Sequence, residues 1–195
     1  FMVGDVAGKG VPASLFMAIA KTLAKSIASR VDQGLGVITT LANQELSREN
    51  AEQLFVTLLI GILDLESGEL SLVNAGHDGP WRVSADGRVE QITCPTDAGG
   101  PPLCVIDDFS YVAQKLSLSP GDTLCLITDG VTEAMNVQHE QYGAKRLESV
   151  LQTTDGKALP PEVVARLKES LAAFVGQAEA SDDMTMLVLR WAGRK

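Results

Sequence analysis

Three aspartates stand where the chain turns from apolar to polar or back, and they offer only oxygen as a ligand. Asp5 follows the apolar Phe1, Met2 and Val3, Asp129 ends the apolar stretch 123–128, and Asp182, with Asp183, precedes the apolar stretch 184–191. In an antiparallel pair, opposite ends of neighbouring strands share one edge of the sheet. Strand ends and starts of this kind could therefore converge on a single rim. Carboxylates with no His or Cys beside them make a hard, oxygen-rich site that favours Mg²⁺ or Mn²⁺ over zinc or copper. Two ions sharing one bridging carboxylate would account for so few ligands. An Asp beside a Gly or at the head of a helix is commonly just a turn or cap residue. The metal reading is favoured because all three flank strongly apolar strands.

The glycine-rich stretch GDVAGKGVPA, residues 4–13, is not a phosphate-cradling P-loop. That motif needs four residues between its first Gly and the Gly-Lys pair, followed by Ser or Thr. Here there are three, and Gly10 follows Lys9. Asp5 would repel a phosphate unless a cation stood between them. Lys9 is either solvated or near a phosphate. His77, in a Gly-rich turn, reads first as a hydrogen-bonded structural residue, and His77 and His139 make no pair at ligand spacing. Glu133 reads as a first-turn residue complementing a helix dipole. Cys94, Cys104 and Cys125 are odd in number and lack zinc spacing, which fits reduced packing thiols in the cytoplasm.

Composition narrows the partners. The 195 residues, 45% hydrophobic and 21% charged, suit one globular domain with ample material for a core. A net charge of -9 disfavours nucleic acid and anionic membrane, since phosphate-backbone affinity comes from Lys and Arg. No apolar run is expected to reach membrane-spanning length. The chain begins with Phe rather than Met and has almost no lead-in to its first strand, so a piece of a longer protein is expected.

The elements that must position the aspartates follow from periodicity. Residues 12–30 predict an amphipathic helix with Leu15, Ile19, Leu23 and Ile27 on one line and Phe16 and Ala20 beside it. Leu35, Ile38, Ala42 and Leu46 predict a second helix. Residues 54–63 and 70–73 read as strands joined at 66–69, and short strands follow at 81–83 and 89–92, giving an antiparallel meander. The loop 93–102 holds three prolines and two glycines, and 109–118 reads as another strand. A buried strand at 123–128 leads to a short helix beginning at Thr132 and Glu133. Helices follow near 144–151 and 160–174, and a terminal strand covers 184–191. Strands in the middle with helix pairs toward both ends point to α+β layers.

Four ordered motifs now stand together: GDVAGKGVPA, LFVTLLIGILDLESGELSLVNAGH, GDTLCLITDGVTEA and SDDMTMLVL. In these the chain resembles the metal-dependent protein phosphatases of the protein phosphatase 2C type. It is most similar to their bacterial sporulation-protein-E (SpoIIE) and RsbU-like stress-regulator branch of serine phosphatases. The resemblance covers nearly the whole chain, so residues 1–195 are taken as a single phosphatase domain. It implies an α-β-β-α sandwich of antiparallel sheets flanked by helix pairs, here lacking the family's N-terminal strands and their Gly-Gly-Asp motif. It implies two Mn²⁺ or Mg²⁺ ions, with Asp5 as the bridging ligand and the Val6 main-chain carbonyl beside it. Asp129 and Asp182 become ligands of the second ion, and Asp183 orients its neighbour.

The implied reaction is hydrolysis of phosphoserine or phosphothreonine on a protein by a metal-activated water. The implied substrate is an anti-anti-sigma-type protein, with a sensor or receiver domain upstream in the full-length protein. Oligomeric state is left open, a homodimer being one option. Where the wider family often has His, this chain has Ala7, so the donor to the leaving oxygen is unassigned. Two other readings are a non-catalytic partner-binding module that keeps the fold and a general hydrolase of small phosphate esters.

Overall fold

The structure is a computed structural model that describes residues 1–30, 33–48, 50–179 and 182–194; Ser181 of the last motif lies outside them. The first half of the chain forms β1 (Met2–Val6), α1 (Val11–Ala28), α2 (Leu35–Arg48), β2 (Val56–Leu63), β3 (Glu69–Ala75), β4 (Trp81–Val83) and β5 (Val89–Gln91). The second half forms β6 (Gln114–Ser117), β7 (Thr123–Ile127), α3 (Asp129–Thr132), α4 (Gly143–Gln152), α5 (Pro160–Val175) and β8 (Met186–Arg190). One sheet has the order β1-β2-β3-β6 and the other β5-β4-β7-β8. The strand pairings at β1–β2, β2–β3, β4–β5, β4–β7 and β7–β8 are antiparallel. This is the α+β arrangement the sequence leads one to expect.

The chain divides into two compact units. One comprises Phe1–Leu63, Glu69–His77 and Cys94–Leu116, the other Asp64–Gly68, Asp78–Thr93 and Ser117–Lys195. In the first unit, Val56, Leu58 and Ile60 of β2 pack with Phe16 and Ala20 of α1 and Leu35 and Leu46 of α2. Side chains alternate across a strand, so Thr57 and Leu59 occupy the face of the sheet away from these helices. Register adds Asp5, opposite Thr57, and Asn74, opposite Leu59, to that same face.

Helix α1 is turned from its expected setting. Its buried residues are Ala13, Phe16, Ala20 and Ala24, whereas Leu15 and Ile19 are 60% and 56% exposed. The small side chains allow close approach to β1. A Cβ on Gly4 would lie 3.4 Å from the Met17 methyl. Leu15 and Ile19 belong to a second apolar stripe, and packing selects the narrower one. By length and composition α1, with 18 residues and mean hydropathy 1.3, could cross a membrane. That corrects the expectation that no apolar run is long enough. Lys21 and Lys25 do not outweigh its many aliphatic residues; 22% of the helix is buried, and Phe16 and Ala20 join the core of the first unit.

In the second unit Trp81 and Val83 of β4 and Cys125 and Ile127 of β7 pack with Leu147 and Leu151 of α4 and Val163, Leu167 and Leu171 of α5. All five residues of β7 are buried. Asp122, just before β7, is 1% exposed and pairs with Arg82, and it also accepts hydrogen bonds from the main chain of Ser119 and Ala85 at 2.8 and 3.2 Å. It is a structural acid. Two boundaries differ from the periodicity reading. The strand expected at 109–118 shrinks to β6 because Tyr111 is buried, its N–H donating to Thr40 Oγ1 at 2.9 Å. The short helix starts at Asp129, and Glu133 caps its C-terminal end with its N–H donating to the Asp129 carbonyl. Glu133 is therefore not in a first turn and does not complement an N-terminal dipole.

Candidate metal centre

Asp5 is the fourth residue of β1 and is half-buried. Its position comes from the main chain. Asp5 pairs with Thr57 in register, and its N–H donates to Thr57 Oγ1 at 3.3 Å. Beside it, a Cβ on Gly4 would stand 2.6 Å from the Thr57 carbonyl oxygen, so only glycine lets β1 lie this close to β2. After the strand, Gly8 and Gly10 take φ of 97° and 86° and reverse the chain, and proline occupies the first turn of α1.

Val6, next in line, has a main-chain oxygen that the sheet leaves unused. Its partner Val56 spends its N–H and C=O on Leu103, at 3.2 and 2.8 Å. Val6 and Val56 thus form a non-hydrogen-bonded pair, and the polar groups of Val6 point out from the edge strand. An outward carbonyl one residue from a carboxylate suits a hard cation.

In the second unit the structure brings Asp129 together with Asp182 and Asp183. Thr128 binds the approaching loop on both sides: its N–H donates to the Thr185 carbonyl at 3.1 Å, and its Oγ1 accepts from the Thr185 N–H at 2.9 Å. The hydroxyl also reaches the Asp183 carbonyl at 3.4 Å. A Cβ on Gly130 would lie 2.3 Å from the Asp183 carbonyl oxygen and 3.5 Å from Asp182 Cβ. Glycine after Asp129 therefore permits the contact. Asp129 and Asp182 are exposed, and one Asp182 oxygen accepts from the Asp183 N–H at 2.9 Å. Asp183 is held through its main chain.

The donors fit a hard divalent ion, since Asp129 and Asp182 supply only carboxylate oxygen. Among the described residues no group of three or more His, Cys, Asp or Glu side chains gathers as a ready metal cluster. An ion here would need main-chain oxygen and water as well, as Mg²⁺ commonly does. A cleft of about 460 Å³ between α5 and β8, lined by Val164, Lys168, Leu171, Val175, Met184 and Met186 among others, contains no acid and is not part of this centre.

His77 lies in the first unit with Asp5, its Nδ1 2.9 Å from Thr57 Oγ1. His139 is exposed at a φ of 61° in a turn. Lys9 is exposed. Cys94, Cys104 and Cys125 are free thiols, and desolvation raises the pKa of all three; Cys125 is buried and Cys104 half-buried, as packing residues are, whereas Cys94 is exposed. Sequence reasoning missed Thr57, Asn74 and Thr128. Their one signal is a polar residue inside, or at the end of, an otherwise apolar strand.

The sequence matches the profile of the Stage II sporulation protein E (SpoIIE) family over residues 1–192, and the chain belongs to that family. Protein IcfG of Synechocystis sp. is 25% identical over 214 residues, covering 96% of this chain and 33% of IcfG. Phosphoserine phosphatase RsbU of Bacillus subtilis is 25% identical over 190 residues, covering 96% of this chain and 54% of RsbU. The chain thus spans between a third and about half the length of these relatives. The solved SiaA-PP2C domain of Pseudomonas aeruginosa shares the fold with a TM-score of 0.78 at 22% identity, over 97% of this chain and 74% of that one.

Proposed function

We propose that this chain is the Mn²⁺- or Mg²⁺-dependent catalytic domain of a protein serine/threonine phosphatase, with Asp5, the Val6 carbonyl, Asp129 and Asp182 holding two ions. The observation that carries the reading is the junction at Gly130, the residue after Asp129, where an added Cβ would lie 3.5 Å from the Cβ of Asp182. Membership of the SpoIIE family supports it. So does the catalytic domain of the serine/threonine phosphatase PstP, solved with two manganese ions, whose fold is similar at TM-score 0.66 and 15% identity.

The chain's own residues supply position and charge. Asp129 presents a carboxylate from the start of α3 and Asp182 one from the loop that Thr128 binds, and Asp5 presents one from an edge strand beside Thr57. When bound, two such ions supply the charge that makes water acidic enough to attack phosphorus in line and that steadies the phosphoryl oxygens. No nucleophilic side chain is required.

The substrate we propose is a phosphoserine or phosphothreonine on an anti-anti-sigma-type regulatory protein. Relatedness to the phosphoserine phosphatase RsbU supports that class. The two units act as one phosphatase domain in this reading, in a cytoplasmic protein that also carries a sensor or receiver domain. Neither nucleic acid nor membrane is a partner, in keeping with the net charge of -9.

The test is phosphate release from such a phosphoprotein with Mn²⁺ and with excess chelator. Release is expected only with the metal, and more readily than from a small aryl phosphate. Asp129→Asn is expected to lower it by about 100-fold or more, the scale of losing one preorganised electrostatic group. Full turnover in excess chelator refutes the enzyme. Partner binding without metal-dependent turnover points instead to a non-catalytic module.

A further inference from the structure

His77 is the one histidine placed close to a proposed ligand strand, and the metal reading gives it no task. Three adjacent strands bring it there. Asp5 on β1 pairs with Thr57 on β2, and β3 ends one residue after Asn74. Asn74 grips the main chain of His77 from both sides: the His77 N–H donates to Asn74 Oδ1 at 2.8 Å, and Asn74 Nδ2 donates to the His77 carbonyl at 2.7 Å. Gly76 makes this tight return possible with a φ of 67°, and a Cβ there would meet Pro102 at 2.4 Å. The ring that results stands 2.9 Å from the Thr57 hydroxyl.

That hydroxyl has one proton to give and three neighbours. Its oxygen is 2.9 Å from His77 Nδ1, 3.3 Å from the Asp5 nitrogen and 3.4 Å from the Asp5 carbonyl oxygen. The ring nitrogen is the one of these neighbours within the usual O–H···acceptor range of about 3.0 Å, which favours the hydroxyl donating to it. The Asp5 N–H, already facing the Thr57 main chain in a hydrogen-bonded pair, adds a second branch to the oxygen. The bonds run in one direction, from Asp5 N–H to Thr57 O–H to His77 Nδ1, and such chains strengthen one another.

We propose that Thr57 and His77 are positioning residues for Asp5, a relay that fixes the main chain beneath the carboxylate, with Nδ1 of His77 accepting and its proton on Nε2. The geometry of the relay is independent of any ion, while its purpose rests on the metal-binding reading above. A ligand must be held to about 0.5 Å to bind well, and β1 is an edge strand with one neighbour. The relay supplies the second anchor.

The test uses the whole chain, first without metal. The imidazole ¹⁵N shifts of His77 should show Nδ1 unprotonated and Nε2 protonated, and Thr57→Val should move the Nδ1 signal while speeding exchange of the Asp5 amide. With Mn²⁺, calorimetry should show Thr57→Val and His77→Ala each weakening binding by about 10- to 100-fold, the usual range for groups that orient a ligand. Thr57→Ser should restore it, and the double variant should be no worse than the weaker single one, as for two members of one unit. A protonated Nδ1 in the unsubstituted chain overturns the relay even if every variant fails to fold. So do additive losses in the double variant. Intact shifts and exchange in a chain with no metal-dependent turnover leave the relay standing and overturn the phosphatase reading instead.

Discussion

Asp5 and the Asp129–Asp182 pair are held by different means. Asp5 lies within a strand, its place set by register against β2 and by a hydroxyl and an imidazole behind its main chain. Asp129 and Asp182 lie outside strands, one opening a helix turn and the other in the loop before β8, and are joined because Gly130 has no side chain and Thr128 binds the loop. In both arrangements main-chain hydrogen bonds and a close glycine contact help set the position. The placement of these aspartates thus draws heavily on the main chain. Glycines and threonines beside the acids should matter nearly as much as the acids.

The sharpest way to break this comparison is Gly130→Ala. The added Cβ meets a main-chain oxygen at 2.3 Å, so the loop carrying Asp182 must move. Mn²⁺ affinity by calorimetry should fall by about 100-fold, and denaturant titration should show a loss of about 1–3 kcal/mol, the scale of overpacking. Next comes Thr128→Val, which keeps shape but removes the acceptor for the Thr185 N–H. Thr128 is 2% exposed, and stranding that donor should cost about 1–3 kcal/mol with a smaller loss of affinity, read by the same two titrations. Gly4→Ala should do less than Gly130→Ala. The clash with the Thr57 carbonyl is 2.6 Å, and β1 has a free edge toward which to shift. A loss in Gly4→Ala exceeding that in Gly130→Ala would reverse the comparison.

The smallest effect separates core from centre. Burial pushes the Cys125 thiol up to about 12 from 9.0. Because the folded state resists ionisation, this stability is present below pH 9 and is lost as pH rises toward 12. Above pH 9 the chain should lose stability relative to Cys125→Val by about 1.4 kcal/mol per pH unit at most. At neutral pH Cys125→Val should leave Mn²⁺ affinity unchanged.

Much of this was legible in the sequence, for stated reasons. The aspartates stood out because each borders a strongly apolar run, and most strands apart from β6 appeared within about two residues of their observed bounds. The setting of α1 was not legible. Leu15 and Ile19 have the larger side chains, yet close approach over Gly4 favours the line of Ala13, Phe16, Ala20 and Ala24. The start of α3 was missed because Asp129 can end a strand or open a helix with equal ease. The link from Thr57 to His77 depends on the registers of β1, β2 and β3 together and on the turn at Gly76, none of which local periodicity encodes.

The central claim is that Asp5, Asp129 and Asp182 serve ions rather than turns. Calorimetric titration of the chain with Mn²⁺ tests it directly. The account predicts two ions per chain, as in two-metal hydrolases, with Asp5→Asn weakening both and Asp182→Asn weakening one. Unchanged stoichiometry and affinity in both variants would contradict it.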